Sequence, residues 1–283
     1  MKEGALMGFR KAIIFLIFST IFLSACTETK PVDTQVKTPS VQSSTQTEPL
    51  LPPKEKQEKI GDYQKLKVPV FMYHSISNKP GNNLCVPPER FEQQLKEIVA
   101  LGFEPITATE YYQAMVYNTP LPKNPILLTF DDGYVDNYTQ LFPILKKYNV
   151  KGIIFPITGL INENPNFLST SQMKEMDESR LVEFGSHTKN HVYLAQKDLK
   201  KVNDELVESK RFLEESLGKP IRTFCYPYGD YSPAVVKEVK KVGYLLSFTI
   251  EEGGATFLNQ QYSLDRYYIT PHTSLSFLKE YIS

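Results

Sequence analysis

Pro125-Ile126-Leu127-Leu128-Thr129-Phe130-Asp131-Asp132-Gly133 runs apolar as far as Phe130 and stops on two adjacent carboxylates and a glycine. An apolar run of this length bounded by a turn signal reads as a buried strand, over Ile126 to Phe130, that delivers the aspartates at its carboxyl end. Downstream, His187-Thr188-Lys189-Asn190-His191 supplies two imidazoles four residues apart. Two neutral imidazoles and one carboxylate suit a divalent ion such as zinc with a position left open for water, and the second carboxylate is then free to take that water's proton.

Similar units repeat on both sides of this stretch. Val68 to Tyr73 reads as a strand delivering His74, and Pro88-Glu89-Arg90 opens a helix whose apolar positions are Phe91, Leu95, Ile98 and Val99. Leu101-Gly102-Phe103 closes it and enters another short strand, followed by a helix over Tyr111 to Val116. A helix is expected over Asn137 to Tyr148, although Pro143 fits only the first turn of a helix. Gly152 to Ile157, Leu181 to Phe184, Ile221 to Tyr226, Tyr244 to Ile250 and Tyr267 to Thr270 read as strands. Ser171 to Ser179, Leu199 to Leu217 (ended by Gly218), Ser232 to Val242 and Ser274 to Ile282 read as helices.

Alternating strand, turn and helix of these lengths predict an α/β fold with a parallel sheet, and the number of units favours a closed or nearly closed barrel over an open doubly wound sheet. No glycine-rich nucleotide fingerprint follows the first strand, which argues against a dinucleotide-binding fold. His74, Asp131, Asp132, His187 and Tyr228 all come just beyond apolar runs. In a parallel barrel those carboxyl ends converge on one face.

The two aspartates divide the work, since successive strand residues point to opposite faces and two carboxylates with one task would mainly repel. Asp132 is assigned as metal ligand and Asp131 as general base. Gly185-Ser186 ahead of His187 favours a turn rather than a helix for the histidine pair, with Ser186 or Thr188 available to hydrogen-bond behind the ligands. Tyr73, Tyr134, Tyr138, Tyr226 and Tyr228 gather near the expected strand-end face and could stack on sugar rings or pack loops.

The 283 residues have formal net charge +0, so no global field draws the chain to nucleic acid. At the N-terminus, Lys2, Arg10 and Lys11 precede the apolar run Ala12 to Leu23, which is shorter than the roughly 20 residues of a membrane span and predicts export. Leu23-Ser24-Ala25-Cys26 resembles the lipobox of bacterial lipoproteins. That resemblance implies a signal peptide over 1–25, lipid attachment at Cys26, and an extracytoplasmic, membrane-anchored protein at the cell surface. From Thr27 to about Lys67 the chain is rich in Thr, Gln, Pro, Ser and Lys and cannot repay its ordering entropy, so 26–67 reads as a disordered tether and 68–283 as the folded domain. Cys85 and Cys225 remain, without C-x-x-C spacing; whether they pair stays open.

Thr129-Phe130-Asp131-Asp132-Gly133 and Ser186-His187-Thr188-Lys189-Asn190-His191 resemble the first two signatures of the polysaccharide deacetylases with NodB homology, carbohydrate esterase family 4. The resemblance implies a distorted, incomplete (β/α) barrel, Asp131 as base, and Asp132, His187 and His191 as metal ligands; two histidines and an aspartate suit zinc, with cobalt or nickel as alternatives. Many members carry Arg-Pro-Pro-Tyr-Gly as a third signature, where this chain has Cys225-Tyr226-Pro227-Tyr228-Gly229. The Tyr228 N–H would stabilise the oxyanion, with Tyr226 beside the substrate. Cys225 stands where the family has an arginine that orients the base, and Arg266, in Leu264-Asp265-Arg266-Tyr267, is the expected replacement, with Asp265 as further support.

Phe71-Met72-Tyr73-His74-Ser75 resembles the N-terminal segment of the rearranged subgroup that includes deacetylases of poly-β-1,6-N-acetylglucosamine. This assigns leaving-amine protonation to His74 ahead of His272. The implied activity is metal-dependent removal of N-acetyl groups from a surface N-acetylglucosamine polysaccharide, with no obligate protein partner. Alternatives are a peptidoglycan or chitooligosaccharide deacetylase, an O-acetyl esterase, or a non-catalytic envelope carbohydrate-binding protein.

Overall fold

The computed structural model describes residues 63–282. The expected signal peptide over 1–25, the expected lipid attachment at Cys26 and the expected tether as far as residue 62 lie outside the described residues. The described chain opens with a 3₁₀ turn, Tyr63–Lys65, and Tyr63 and Leu66 already pack on core residues ahead of Val68. An aromatic and an aliphatic side chain give this end of the polar segment enough apolar surface to dock.

The strands are β1 (Lys67–Tyr73), β2 (Glu104–Pro105), β3 (Pro125–Asp132), β4 (Gly152–Pro156), β5 (Val182–Phe184), β6 (Thr223–Cys225), β7 (Leu246–Phe248), β8 (Gly254–Thr256) and β9 (Tyr267–Tyr268). The helices are α1 (Pro88–Ala100), α2 (Ala108–Tyr117), α3 (Phe142–Tyr148), α4 (Thr170–Glu178), α5 (Leu199–Leu217), α6 (Pro233–Val242) and the single turn α7 (Phe257–Gln260). β3 pairs in parallel with β1, β2 and β4; β4 also pairs with β5, and β1 with β9. β6 and β7 form a separate parallel pair.

Single bridges, Ser186 to Phe224 and Phe248 to Leu264, carry the round from β5 to β6 and from β7 toward β9. The result is the expected parallel α/β architecture as an incomplete barrel, interrupted where only single bridges join its strands. β8 was not foreseen. It runs antiparallel to the start of β1, and Gly254-Ala255-Thr256 lacks the apolar run that marks the other strands.

Strand alternation sorts the core. Ile126, Leu128 and Phe130 of β3 join one cluster with α1, α3, α4 and α5 residues such as Phe91, Leu145, Met173 and Leu206. Leu127 joins the cluster on the opposite face with Val70, Ile153, Phe155 and Phe248. Thr129 and Asp131 share Leu127's side by the period of two. The sequence that fills the core therefore also aims Asp131 inward.

Local signals set the helix ends. α2 begins earlier than its apolar pattern suggests, because Thr107 and Glu110 form a reciprocal capping box. α5 is capped by the Asp198 side chain on the Lys201 N–H and closed by Gly218 at φ +67°. The expected helix over Asn137 to Tyr148 is corrected: Asn137–Leu141 is a π-helical turn and α3 starts only at Phe142. Pro143 has no N–H to give to residue 139, so the ladder widens, the Phe142 N–H reaches back to the Asn137 carbonyl, and proline falls in the first turn of α3. The expected last helix is a 3₁₀ segment, Ser276–Tyr281.

Candidate metal and catalytic site

β3 ends by changing hand. Asp132 has φ +72° and Gly133 φ +77°. A Cβ on Gly133 would lie 2.6 Å from Pro156 Cβ, so only glycine lets the turn pass this close to β4. The kink takes Asp132 out of the strand's alternation, and Asp131 and Asp132 face different partners.

Asp131 meets Arg266. Nη1 donates to Oδ1 at 2.8 Å and Nη2 to Oδ2 at 2.7 Å, with Arg266 fully buried. Arg266 is itself held by Thr249 O at 2.7 Å, Thr129 Oγ1 at 3.0 Å and Cys225 Sγ at 3.1 Å. Burial alone would raise the Asp131 pKa; the guanidinium overrides it and holds the carboxyl well below the usual range. Burial pushes the Cys225 thiol up, so it stays a neutral neighbour. The guanidinium arrives from the residue just ahead of β9 and rests against the small thiol.

Asp132, His187 and His191 form a separate triangle. Asp132 Oδ1 lies 3.6 Å from His187 Nε2 and 3.5 Å from His191 Nε2, and the two Nε2 atoms are 3.2 Å apart. A tetrahedral ion with ligands at about 2.1 Å spaces them about 3.4 Å apart. Asp132 Oδ1 is buried with no hydrogen-bond partner among the described residues. The donor types, their spacing and the orphaned oxygen fit a divalent cation.

The imidazoles are prepared for that role. The His187 Nδ1–H donates to Cys225 O at 2.8 Å, which leaves the Nε2 lone pair facing Asp132 and His191. Burial lowers the His187 pKa to about 3 and lowers that of His191, keeping both rings neutral near pH 7. Burial, with Asp131's charge, raises the Asp132 pKa, a penalty that a bound cation would remove.

The histidine segment is the expected turn. Thr188 and His191 adopt φ +64° and +52°. The His191 N–H donates to Thr188 Oγ1 at 2.9 Å, and the Thr188 N–H to Ser186 Oγ at 3.3 Å. Glu205 of α5 accepts the Lys189 and Asn190 N–H groups at 3.0 and 2.8 Å. Sequence reading missed Glu205, because no local pattern links a helical glutamate to a loop fifteen residues earlier.

A cavity of about 550 Å³ opens here, lined by His74, Asp131, Asp132, His187, His191 and Tyr228. The strand-end residues are thus brought together. Tyr226 also lines it, but its hydroxyl donates to Tyr262 O at 3.0 Å and offers no free polar group. Tyr228 sits at φ +59°, ψ +10°, half exposed, its ring 3.9 Å from Tyr193.

Other expected residues lie elsewhere. Asp265 accepts from Gln260 Nε2 at 2.7 Å and does not support Asp131. His272 is exposed and does not line the cavity, whereas His74 does. Tyr73 is a core residue, stacked on Phe130 and bonded to Gln94, and the Tyr138 hydroxyl bonds Glu175. Tyr268 and Glu252, both lining the cavity, carried no signal in the sequence. Cys85 and Cys225 are free thiols, both buried.

YxkH of Bacillus subtilis (strain 168), whose name assigns it to the polysaccharide deacetylases, is 30% identical over 95% of this chain and 96% of its own. This chain belongs to the polysaccharide deacetylase family. The family profile described as polysaccharide deacetylase matches residues 118–247, a span that includes both aspartates, both loop histidines and Tyr228. The poly-β-1,6-N-acetyl-D-glucosamine N-deacetylase of Staphylococcus aureus (strain MRSA252) is 29% identical over 71% of this chain and 73% of its own. The structure of Streptococcus pyogenes deacetylase PplD in complex with acetate superposes with a TM-score of 0.73 at 33% identity, covering 77% of this chain and 99% of that one. As a polysaccharide deacetylase, the chain departs from the common third signature at Cys225, and Arg266 supplies the guanidinium at Asp131.

Proposed function

We propose that the protein is a divalent-metal-dependent N-deacetylase acting on N-acetylglucosamine residues of a surface polysaccharide. The observation that carries this reading is the triangle of Asp132, His187 and His191 beside a separately anchored, ionised Asp131. A cation there, zinc by its donor set, supplies Lewis acidity to the acetyl carbonyl and acidifies water. The N-acetylglucosamine polymer is favoured by the substrate named for the S. aureus relative. Export and tethering through Cys26 belong to the same proposal and rest on the sequence of residues 1–67.

The residues perform the remaining steps. Asp131 takes a proton from water as its oxygen bonds to the acetyl carbon, and the Tyr228 N–H, presented by its left-handed backbone, stabilises the negative carbonyl oxygen. The carbon–nitrogen bond then breaks, and His74, as imidazolium, gives its proton to the departing amine. Acetate and a free amino sugar are the products, and solvent returns Asp131 and His74 to their starting protonation states. An arginine pair makes Asp131 a weak base but keeps it ionised, and therefore available, across the neutral range.

Acetate release should be measured on β-1,6-linked N-acetylglucosamine oligomers, chitin oligomers and peptidoglycan, before and after chelation and with zinc restored. Zinc-dependent release highest on the β-1,6 oligomers is expected. Release from peptidoglycan alone would reject the substrate, and polymer binding without metal or turnover would reject the enzyme in favour of a binding module.

A further inference from the structure

No hydrogen bond among the described residues aims the His74 ring through Nδ1, which is buried. An imidazole that transfers protons is commonly oriented by a third group at its far nitrogen. Here the orientation has to come through the backbone and through packing.

The backbone is gripped by two neighbouring residues at the π-helical turn. Asn137, fully buried, donates from Nδ2 to His74 O at 3.0 Å. Asp136 accepts the Ile76 N–H on Oδ1 at 2.9 Å and the Ser75 hydroxyl on Oδ2 at 2.6 Å. Asn137 Nδ2 also meets Asp136 Oδ1 at 3.2 Å, so the two side chains form one clip around His74-Ser75-Ile76. The Tyr268 ring, 6.2 Å away and nearly perpendicular, flanks the imidazole.

The clip belongs to the turn that leaves β3 after Asp131 and Asp132. It therefore ties the spacing between His74 and the aspartates to a few bonds within one short segment. The widened turn forced by Pro143, in which the Phe142 N–H bonds the Asn137 carbonyl, fixes that segment's backbone from below.

We propose that Asp136 and Asn137 are positioning residues for His74, holding its imidazole where it can protonate the leaving amine. This rests on His74 acting as the acid in the reaction above. A bond to a backbone carbonyl could serve the fold alone, so the test has to separate proton delivery from general integrity.

The zinc-loaded enzyme and its Asn137→Ala, His74→Ala and double variants should be assayed on an N-acetylglucosamine oligomer and on 4-nitrophenyl acetate, whose phenolate leaves without needing a proton. Asn137→Ala is expected to lower kcat on the oligomer by roughly 10- to 100-fold, with KM, zinc content and aryl ester turnover changed by less than about twofold. In the His74→Ala background the same substitution should cost nothing further. Ser75→Ala removes the clip's bond to Asp136 Oδ2 together with the Ser75–Ser77 hydroxyl contact and, if Asn137→Ala fails to fold, should show the same selectivity with a smaller loss. Equal losses on both substrates, or a full additional loss without His74, overturn the proposal. Normal oligomer turnover by His74→Ala overturns the acid assignment and the clip together, whereas absence of acetate release by the wild-type holoenzyme refutes the proposed function and the clip's catalytic role with it.

Discussion

Arg266 and Asp131 show how one missing side chain is replaced from a distant segment, here the residue just ahead of β9. The pair is buried and bidentate, so removing the cation strands a carboxylate in the barrel interior, at a cost of about 3–5 kcal/mol. Arg266→Met should therefore lower the melting temperature, checked by thermal unfolding. It should also move the acid limb of kcat/KM upward, because burial without the guanidinium raises the Asp131 pKa. In the wild type the depressed pKa contributes stability that is present above the unfolded value of about 3.9 and is lost as pH falls through the folded one. Unfolding titrations of wild type and variant should differ most above pH 4, and an unchanged acid limb would contradict the pairing. The chemistry-bearing residues Asp131, Asp132 and His187 were legible because each comes just beyond an apolar run, His191 because it stands four residues after His187, and Arg266 because the third signature's missing arginine demanded a substitute. Glu205, Thr129 and Thr249 were not legible, since their roles arise from contacts between segments distant in sequence.

Among the elements, the end of β5 passes close to its neighbours at Gly185. A Cβ at Gly185 would lie 2.4 Å from both Phe155 Cε1 and Thr223 Oγ1, so the chain can pass between β4 and β6 only as glycine. Gly185→Ala should destabilise by about 1–3 kcal/mol and weaken zinc binding, because the shift it forces reaches His187 two residues on. A denaturant melt and a competition titration for zinc would check both, and an unaltered metal affinity would show that the loop absorbs the change. Glu205→Gln loses charge-assisted bonds to the Lys189 and Asn190 N–H groups and should weaken zinc binding with little change at Asp131. Element positions were readable from periodicity, but their ends depended on subtler chemistry. The Thr107-x-x-Glu110 capping box starts α2 ahead of the apolar positions that marked it, and the π turn required asking which carbonyl Pro143 leaves without a donor. β8 carries too little apolar sequence to announce itself, and only its pairing with β1 defines it.

At the scale of the molecule, parallel strands collect their carboxyl ends on one side, and this geometry brings residues as far apart as His74 and Tyr228 to one cavity. The fold class followed from the repeated strand and helix units and the barrel's incompleteness from the family resemblance, while the places of its gaps were not readable, because single bridges leave no composition signal. A cation that binds only the folded chain stabilises it, by about 2.7 kcal/mol at a hundredfold excess over Kd. Chelation should lower the melting temperature of the wild type but not of Asp132→Ala, and a chelator-insensitive wild type would argue against the triangle as a metal site. The central claim is tested most directly by the rate of acetate release from a β-1,6-linked N-acetylglucosamine oligomer by zinc-loaded wild type and Asp131→Asn, with zinc content measured in the same samples. The account predicts equal zinc and a rate at least about 100-fold lower in the variant; equal zinc with a comparable rate would contradict it.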